Sequence, residues 1–282
     1  MISVLTLVKN RREHLDNLVE GLRRSTVAPA KLVIVDMSDV PIALPIARFP
    51  IEVVRLETTG LPLAQARNLA AAKADTEALL FLDVDCIPGS HLVGAMAAAV
   101  QDPSALICAE IRYLAAADTR GGLWTEASLK AAGVPHPVRD FPADGLVRQA
   151  NAGLFWSLAF GVSRAAFERT GGFDERFTGY GAEDTDFAFR AKAAGLDLAF
   201  MGGTSAYHQH HPVYDPPLQH FADIVRNARL FRDKWGFWPM DGWLDAFAHL
   251  GFLRRSQAEL TVIKTPSRKD IGDAMQSADR RF

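Results

Sequence analysis

Apolar positions along the chain follow two alternating rhythms. Ile2–Val8, Lys31–Asp36 (KLVIVD), Ile51–Leu56 (IEVVRL) and Ala78–Asp83 (ALLFLD) are short leucine-rich or β-branched runs, the pattern of strands buried on both faces. Between them the spacing changes to three and four. Arg12–Arg24 places Leu15, Leu18, Val19 and Leu22 on one helical face, Leu63–Ala74 is an alanine-rich helix, and Ser90–Val100 is a third. Ala105–Tyr113 is a further strand. This alternation predicts an α/β fold around a mostly parallel, doubly wound sheet. Ligands of such sheets gather at the carboxyl ends of strands, so chemistry is expected just after Val8, Asp36 and Leu82.

The rhythm then loosens. Residues 114–150 predict a helix and a long loop holding Gly121, Gly122, Pro135, Pro137 and Pro142, and loops of that length are commonly functional or mobile. Ala159–Ser163 is a short strand, Glu183–Ala194 is a helix closed by Gly195, and Leu198–Met201 and Thr204–His208 are short apolar stretches. Residues 218–255 are helical and aromatic-rich, and a polar tail starts at Ser256. Composition narrows the class. With 49% hydrophobic and 23% charged residues over 282 positions, the chain is an ordinary globular protein. Its formal net charge of -2 argues against a nucleic-acid partner. No apolar run reaches the roughly 20 residues of a membrane span, and the basic residues Lys9, Arg11 and Arg12 follow the first apolar run, the reverse of a signal peptide. Cys86 and Cys108 are too few for a disulfide framework, so a cytoplasmic location is expected.

Four segments carry candidate chemistry. In Phe81–Gly89 a buried strand ends on Asp83 and Asp85, then turns at Pro88-Gly89; paired hard oxygens suit Mg²⁺ or Mn²⁺ on a diphosphate, although aspartates also cap turns. Gly179-Tyr180-Gly181-Ala182-Glu183-Asp184-Thr185-Asp186 opens a helix with three acids. The helix dipole accounts for one or two of them, but not for an aromatic held between glycines beside them, which suits a sugar ring. Tyr207–Pro212 holds His208, His210 and His211, a tract that points to metal or phosphate. Lys9–Leu15 places basic groups at the end of the first strand, where a diphosphate or plain solvent are the two readings. Neither G-x-G-x-x-G after the first strand nor a P-loop is present.

Taken in order, Lys9–Leu15, Arg67-Asn68, Asp83–Pro88 and Gly171–Arg190 resemble the GT-A glycosyltransferases of family 2, in particular the beta-galactosyltransferase and chondroitin-polymerase-type branch. The resemblance implies a GT-A fold, a Rossmann-like nucleotide-binding sheet with a smaller acceptor-binding part. Residues 1–113 would form the nucleotide-sugar half, 114–215 the acceptor-binding and catalytic half, and 216–282 a helical extension and tail. It also implies roles. Thr6 and Asp36 would approach the base, Arg11 and Arg67 the nucleotide or its phosphates, and Asp83 the ribose and metal. Asp85 and His208 would hold Mn²⁺ or Mg²⁺, with His210 or His211 as substitutes for the histidine. Asp184 would be the catalytic base, and Tyr180, Glu183 and Trp156 would bind the acceptor. Departures are Met37 in place of a second Asp, Thr6-Leu7-Val8 in place of a Pro-bearing strand end, and Tyr180 in place of Trp.

The expected activity is inverting transfer of a hexose from a UDP-sugar to a hydroxyl of a glycan or lipid-linked sugar, with galactose or N-acetylgalactosamine first and glucose next. An ordinary Asp is ionised at pH 7, so the base is expected to work by positioning. Two other classes compete: a metal-dependent phosphohydrolase with Asp83 as nucleophile, which Ile87 opposes, and a non-catalytic carbohydrate-binding relative, which the set Asp83, Asp85 and Asp184 opposes. Residues 235–255, with Trp243, Leu244, Phe247 and Leu250 at helical spacing, predict either a packed helix or a patch for a membrane surface or a second subunit.

Overall fold

The computed structural model describes residues 1–278, 280 and 281. Among these, ten strands build one sheet: β1 (Ile2–Val8), β2 (Lys31–Asp36), β3 (Ile51–Arg55), β4 (Ala78–Leu82), β5 (Cys86–Pro88), β6 (Ala105–Tyr113), β7 (Val134–Pro135), β8 (Leu146–Gln149), β9 (Ala159–Ser163) and β10 (Asp197–His208). The order is β3-β2-β1-β4-β9-β6-β10-β5, with β7 on β6 and β8 on β10. The first four are parallel, as is β6 with β10, while β9 runs antiparallel between β4 and β6. The helices are α1 (Arg12–Arg23), α2 (Leu63–Lys73), α3 (Leu92–Ala99), α4 (Glu126–Ala132), α5 (Arg164–Thr170), α6 (Glu183–Ala193), α7 (Phe221–Trp235), α8 (Asp241–His249) and α9 (Arg268–Asp273). A ribbon of β11 (Leu253–Arg255) and β12 (Leu260–Val262) completes the extension.

Strand side chains alternate faces, so the sheet has two cores. Val4, Val8, Ile34, Leu80 and Ile107 meet α1 and α3 on one side, and Leu5, Val33, Phe81, Phe160 and Cys108 meet α2, α5 and α6 on the other. The second core is aromatic, with Phe81 stacked on Phe160 at 4.5 Å and Phe173 on Phe187 at 4.2 Å between ring centres. Gly161 on β9 lets α3 lie close, because a Cβ there would come within 2.2 Å of Met96 Sδ.

Several elements differ from the sequence pattern. The two apolar stretches at 198–201 and 204–208 are one strand, β10, whose pairing with β6 shifts register between Met201 and Ser205 around Gly203 at φ +78°. The turn expected at Pro88-Gly89 begins as β5, and segment 114–150 holds α4, β7 and β8 as well as loop. Helix α5 carries no long apolar period; Ser163 and the left-handed Gly171 cap its seven residues. The tail from Ser256 contains β12 and α9. In the extension Leu244 and Phe247 are fully buried, packed with Phe221, Ile224, Trp238 and Leu253, while Leu250 is exposed. No helix among the described residues is long and apolar enough to cross a membrane.

Candidate active site

The turn after β1 begins the site. Asn10 adopts φ +56°, a left-handed conformation that Asn tolerates better than most residues. It exchanges hydrogen bonds with Asp39, and its N–H reaches Ser38 Oγ at 3.0 Å, which fixes where α1 starts. Arg11 at the helix cap and His14 one turn on therefore face Asp85. The Arg11 guanidinium pairs with one carboxylate oxygen, and His14 Nδ1 lies 2.5 Å from the other. Asp85 is buried, whereas Asp83 is half-buried and accepts the Asp85 N–H at 3.3 Å.

The histidine tract arrives from the opposite direction. Antiparallel pairing sets His208 against Cys86, and the Gln209 N–H donates to Asp85 O at 2.6 Å. Gln209, wholly buried, also donates to His14 O at 3.1 Å and accepts from Asn17 Nδ2 at 2.8 Å. It thus ties the tract to α1 and to the Asp85 turn. Asp85, His208 and His211 each offer a ligand atom, all within 4.8 Å of one another. Burial, then the neighbouring His211 and Arg11, holds His208 well below the ordinary histidine value; burial and Arg11 likewise hold His211 down. Neutral imidazole is the metal-binding form, and of the two expected ions one carboxylate with two imidazoles suits Mn²⁺ better than Mg²⁺, which prefers an all-oxygen set. His210 lies nearby but outside this trio.

The second half is the loop before α6. Gly179, Gly181 and Ala182 have φ of +74°, +95° and +69°, and the last is costly for a residue with a Cβ, on the order of 1–2 kcal/mol. Asn227 on α7, fully buried, holds this conformation by donating to Thr178 O at 3.0 Å and Gly181 O at 2.8 Å. Asp186 pairs with Lys234 at 2.7 Å and accepts from Trp235 Nε1 at 2.8 Å, so α7 anchors the same helix start. Burial, then Glu183, pushes the Asp184 carboxyl up to about 6. Its environment therefore adds base strength to positioning. The Tyr180 hydroxyl is pushed up by burial and by Glu183, Asp184 and Asp83, with Arg11 opposing, so it lies between the two halves of the site.

The remaining predicted residues divide. Arg67 and Glu183, assigned to donor and acceptor, are both buried and pair with each other at 3.1 Å, with Glu183 Oε2 lacking a hydrogen-bond partner among the described residues. Next to Arg67, Asn68 holds the Gly172-Phe173 turn by two hydrogen bonds to Phe173. Thr6 is 1% exposed in the middle of β1, away from solvent. Asp36 is equally sealed and accepts from Ser38 N–H, Ile42 N–H and Arg55, which shapes the turn after β2. Trp156 meets His136 edge-on at 4.7 Å, with the Arg139 guanidinium 4.9 Å from its ring. His14, Gln209, Asn227 and Arg139 carried no role in the sequence pattern. Two of them left a signal: His14 lies three residues after Arg11 and so on the same helical face, and Gln209 lies inside the histidine tract.

Residues 51–224, more than half of the chain, match the family described as "Glycosyltransferase like family 2". A validoxylamine A glucosyltransferase of Streptomyces hygroscopicus subsp. limoneus is 27% identical over 237 residues, 70% of this chain and 49% of that protein. One from subsp. jinggangensis is also 27% identical, over 53% of its length, so the chain spans about half the length of these curated relatives. Among solved structures, GalNAc-T7 with UDP, GalNAc and Mn²⁺ superposes with a TM-score of 0.56 at 18% identity, over 75% of this chain and 43% of that one. Residues 1–349 of S. aureus TarS with UDP-GlcNAc give 0.55 at 15% identity, over 81% and 65%. The architecture is therefore the GT-A fold. By its family match the chain belongs to glycosyltransferase-like family 2.

Proposed function

We propose that the protein is a metal-dependent, inverting hexosyltransferase that uses a UDP-sugar and a hydroxyl acceptor. The observation that carries this reading is the presence of two chemistries on either side of Tyr180: the Asp85, His208 and His211 trio on the β5–β10 side, and Asp184 with a raised carboxyl value at the start of α6. Relatives and structural neighbours named for glucosyl transfer and for UDP, UDP-GlcNAc and Mn²⁺ complexes support it.

In this reading Asp184 accepts the proton of the acceptor hydroxyl as its oxygen bonds to the anomeric carbon. The bond from that carbon to the diphosphate breaks, and UDP leaves with the electron pair. Single displacement gives a beta product from an alpha donor. Arg11 is poised at Asp85 to meet the charge that develops on the diphosphate. Asp85, His208 and His211 would hold the metal, which would supply Lewis-acid stabilisation of the same charge. Gln209 keeps the histidines in place, and Asn227 keeps the base in place. The acceptor, a glycan or lipid-linked sugar, would enter past Tyr180. Galactose, N-acetylgalactosamine and glucose donors are the first to test. Calorimetry with Mn²⁺ and UDP, then with the three UDP-sugars, tests the reading; no binding of UDP with or without Mn²⁺ would overturn it.

A further inference from the structure

Arg139 is a cation enclosed without a counter-charge. It is 5% exposed, and among the described residues neither Nε nor Nη2 has a hydrogen-bond partner and no carboxylate pairs with it. Its guanidinium lies about equally far from three rings, Phe141 at 5.0 Å, Trp156 at 4.9 Å and Phe200 at 5.0 Å. Ring faces attract a cation but accept none of its N–H bonds well. Burying an unpaired charge costs several kcal/mol on general grounds. Among the described residues its one polar side-chain contact is with the Cys108 thiol, and the titratable groups that feel it supply no negative charge: burial pushes Cys108, Cys86 and Tyr113 up and holds His136 below its ordinary value, leaving all four neutral.

The position of this cation is informative. A cleft lined by Tyr113, His136, Arg139, Phe141 and Trp156, too tight in this conformation to admit a water molecule, lies beside it. Ring contacts connect that cleft to the metal-binding trio: His208 to Tyr113 at 5.0 Å, Tyr113 to His136 at 5.9 Å, and His136 to Trp156 at 4.7 Å. On its other side Cys108 feels both Arg139 and Asp184. An aromatic path thus leads from the metal-binding trio, where the diphosphate of the proposed donor would sit, to Arg139.

From this placement we infer that Arg139 is a specificity residue for a carboxylate on the transferred sugar, making the donor a UDP-hexuronic acid in place of a neutral UDP-hexose. The inference rests on the proposed UDP-sugar activity. A planar guanidinium matches a carboxylate with two parallel N–H bonds, which a hydroxymethyl group cannot accept equally well. Reaching it requires the half-buried His136 and Trp156 to part.

The test is calorimetry in Mn²⁺ with UDP, UDP-glucose, UDP-galactose, UDP-glucuronate and UDP-galacturonate, on the wild-type chain and on Arg139→Gln and Arg139→Lys. The wild type is expected to bind one of the uronates roughly tenfold or more tighter than the matching neutral sugar. Arg139→Gln should erase that preference with UDP affinity unchanged, and Arg139→Lys should retain part of it. Equal or better binding of the neutral sugars by the wild type overturns the inference while leaving the proposed transferase intact. The wild-type comparison needs no folded variant. Failure of UDP itself to bind overturns both.

Discussion

At the scale of single residues, the site separates binding from proton transfer. In the proposed mechanism Asp184 would take the proton, and its carboxyl is raised to about 6 by burial and by Glu183. The sign is direct: a base with a raised value is protonated, hence inactive, over a wider acid range. The turnover rate is expected to fall as pH drops through about 6 and to level off above about 7, rather than staying flat down to the ordinary carboxylate range near ~4. Asp184→Asn should keep UDP-sugar affinity near wild type and lower the rate on the order of 10²–10⁴-fold. Stopped assays of donor consumption from pH 4.5 to 8.5 check both; a flat profile in the wild type would make Asp184 a binding residue. For the metal, Asp85→Ala, His208→Ala and His211→Ala should each lower Mn²⁺-dependent UDP affinity, since their ligand atoms converge, whereas His210→Ala should change it little. Mn²⁺ titration followed by the paramagnetic signal of free Mn²⁺ reads this without turnover. The sequence pointed to Asp85 and to the tract but could not choose among three histidines within four residues. That choice depends on the pairing of His208 with Cys86 and on Gln209, contacts made across more than 120 residues.

At the scale of elements, the strands and helices of the first half could be read from period alone, because each buries a whole face. Ile2–Val8, Lys31–Asp36 and Ala105–Tyr113 are observed with the predicted bounds. The elements not foreseen, β5, β7, β8, β11, β12, α5 and α9, are two to seven residues long, too short for any period to register, and are defined by caps and by their pairing partners. The pairing of Arg67 with Glu183 was equally invisible, since it joins α2 to α6 across 116 positions. Helix α7 has a task its sequence period did not announce. Its buried face packs the extension, yet Asn227 on that face holds the strained loop ahead of Asp184. Asn227→Ala removes two well-placed N–H bonds and leaves carbonyls of that loop unpaired, at a cost of about 2–4 kcal/mol. The melting temperature should drop, and the rate should fall at least tenfold with UDP affinity within about twofold of wild type. Equal loss of UDP affinity and rate would show that α7 supports the whole molecule and not the base in particular.

At the scale of the whole molecule, two bodies of contacts meet at the Gly179–Asp184 loop. Arg11, Asp85 and His208 stand at the start of α1 and at the ends of sheet strands, while Tyr180 lies stacked on His220 at 4.4 Å and packed near Trp243, both in the C-terminal extension. Of the two readings of 235–255, the apolar side chains serve the packed helix: Leu244 and Phe247 are sealed, and Arg255 pairs with Asp241 and Asp245. Proximity of the extension to the base therefore depends on close approach at one point. Gly179 has φ +74°, and a Cβ there would lie 2.2 Å from the Asp223 carboxylate carbon on α7. Gly179→Ala must strain the backbone, push α7 outward, or both. Because the displaced groups are those around the base, the rate should fall by roughly tenfold or more and the melting temperature by several degrees. Mn²⁺-dependent UDP affinity, which the proposal assigns to residues at the strand ends and the start of α1, should change by less than about threefold. Calorimetry of UDP alongside turnover separates the two effects. A parallel collapse of UDP binding would mean that donor and base sites share one cooperative unit, and that the extension holds the sheet-borne site as firmly as it holds Asp184.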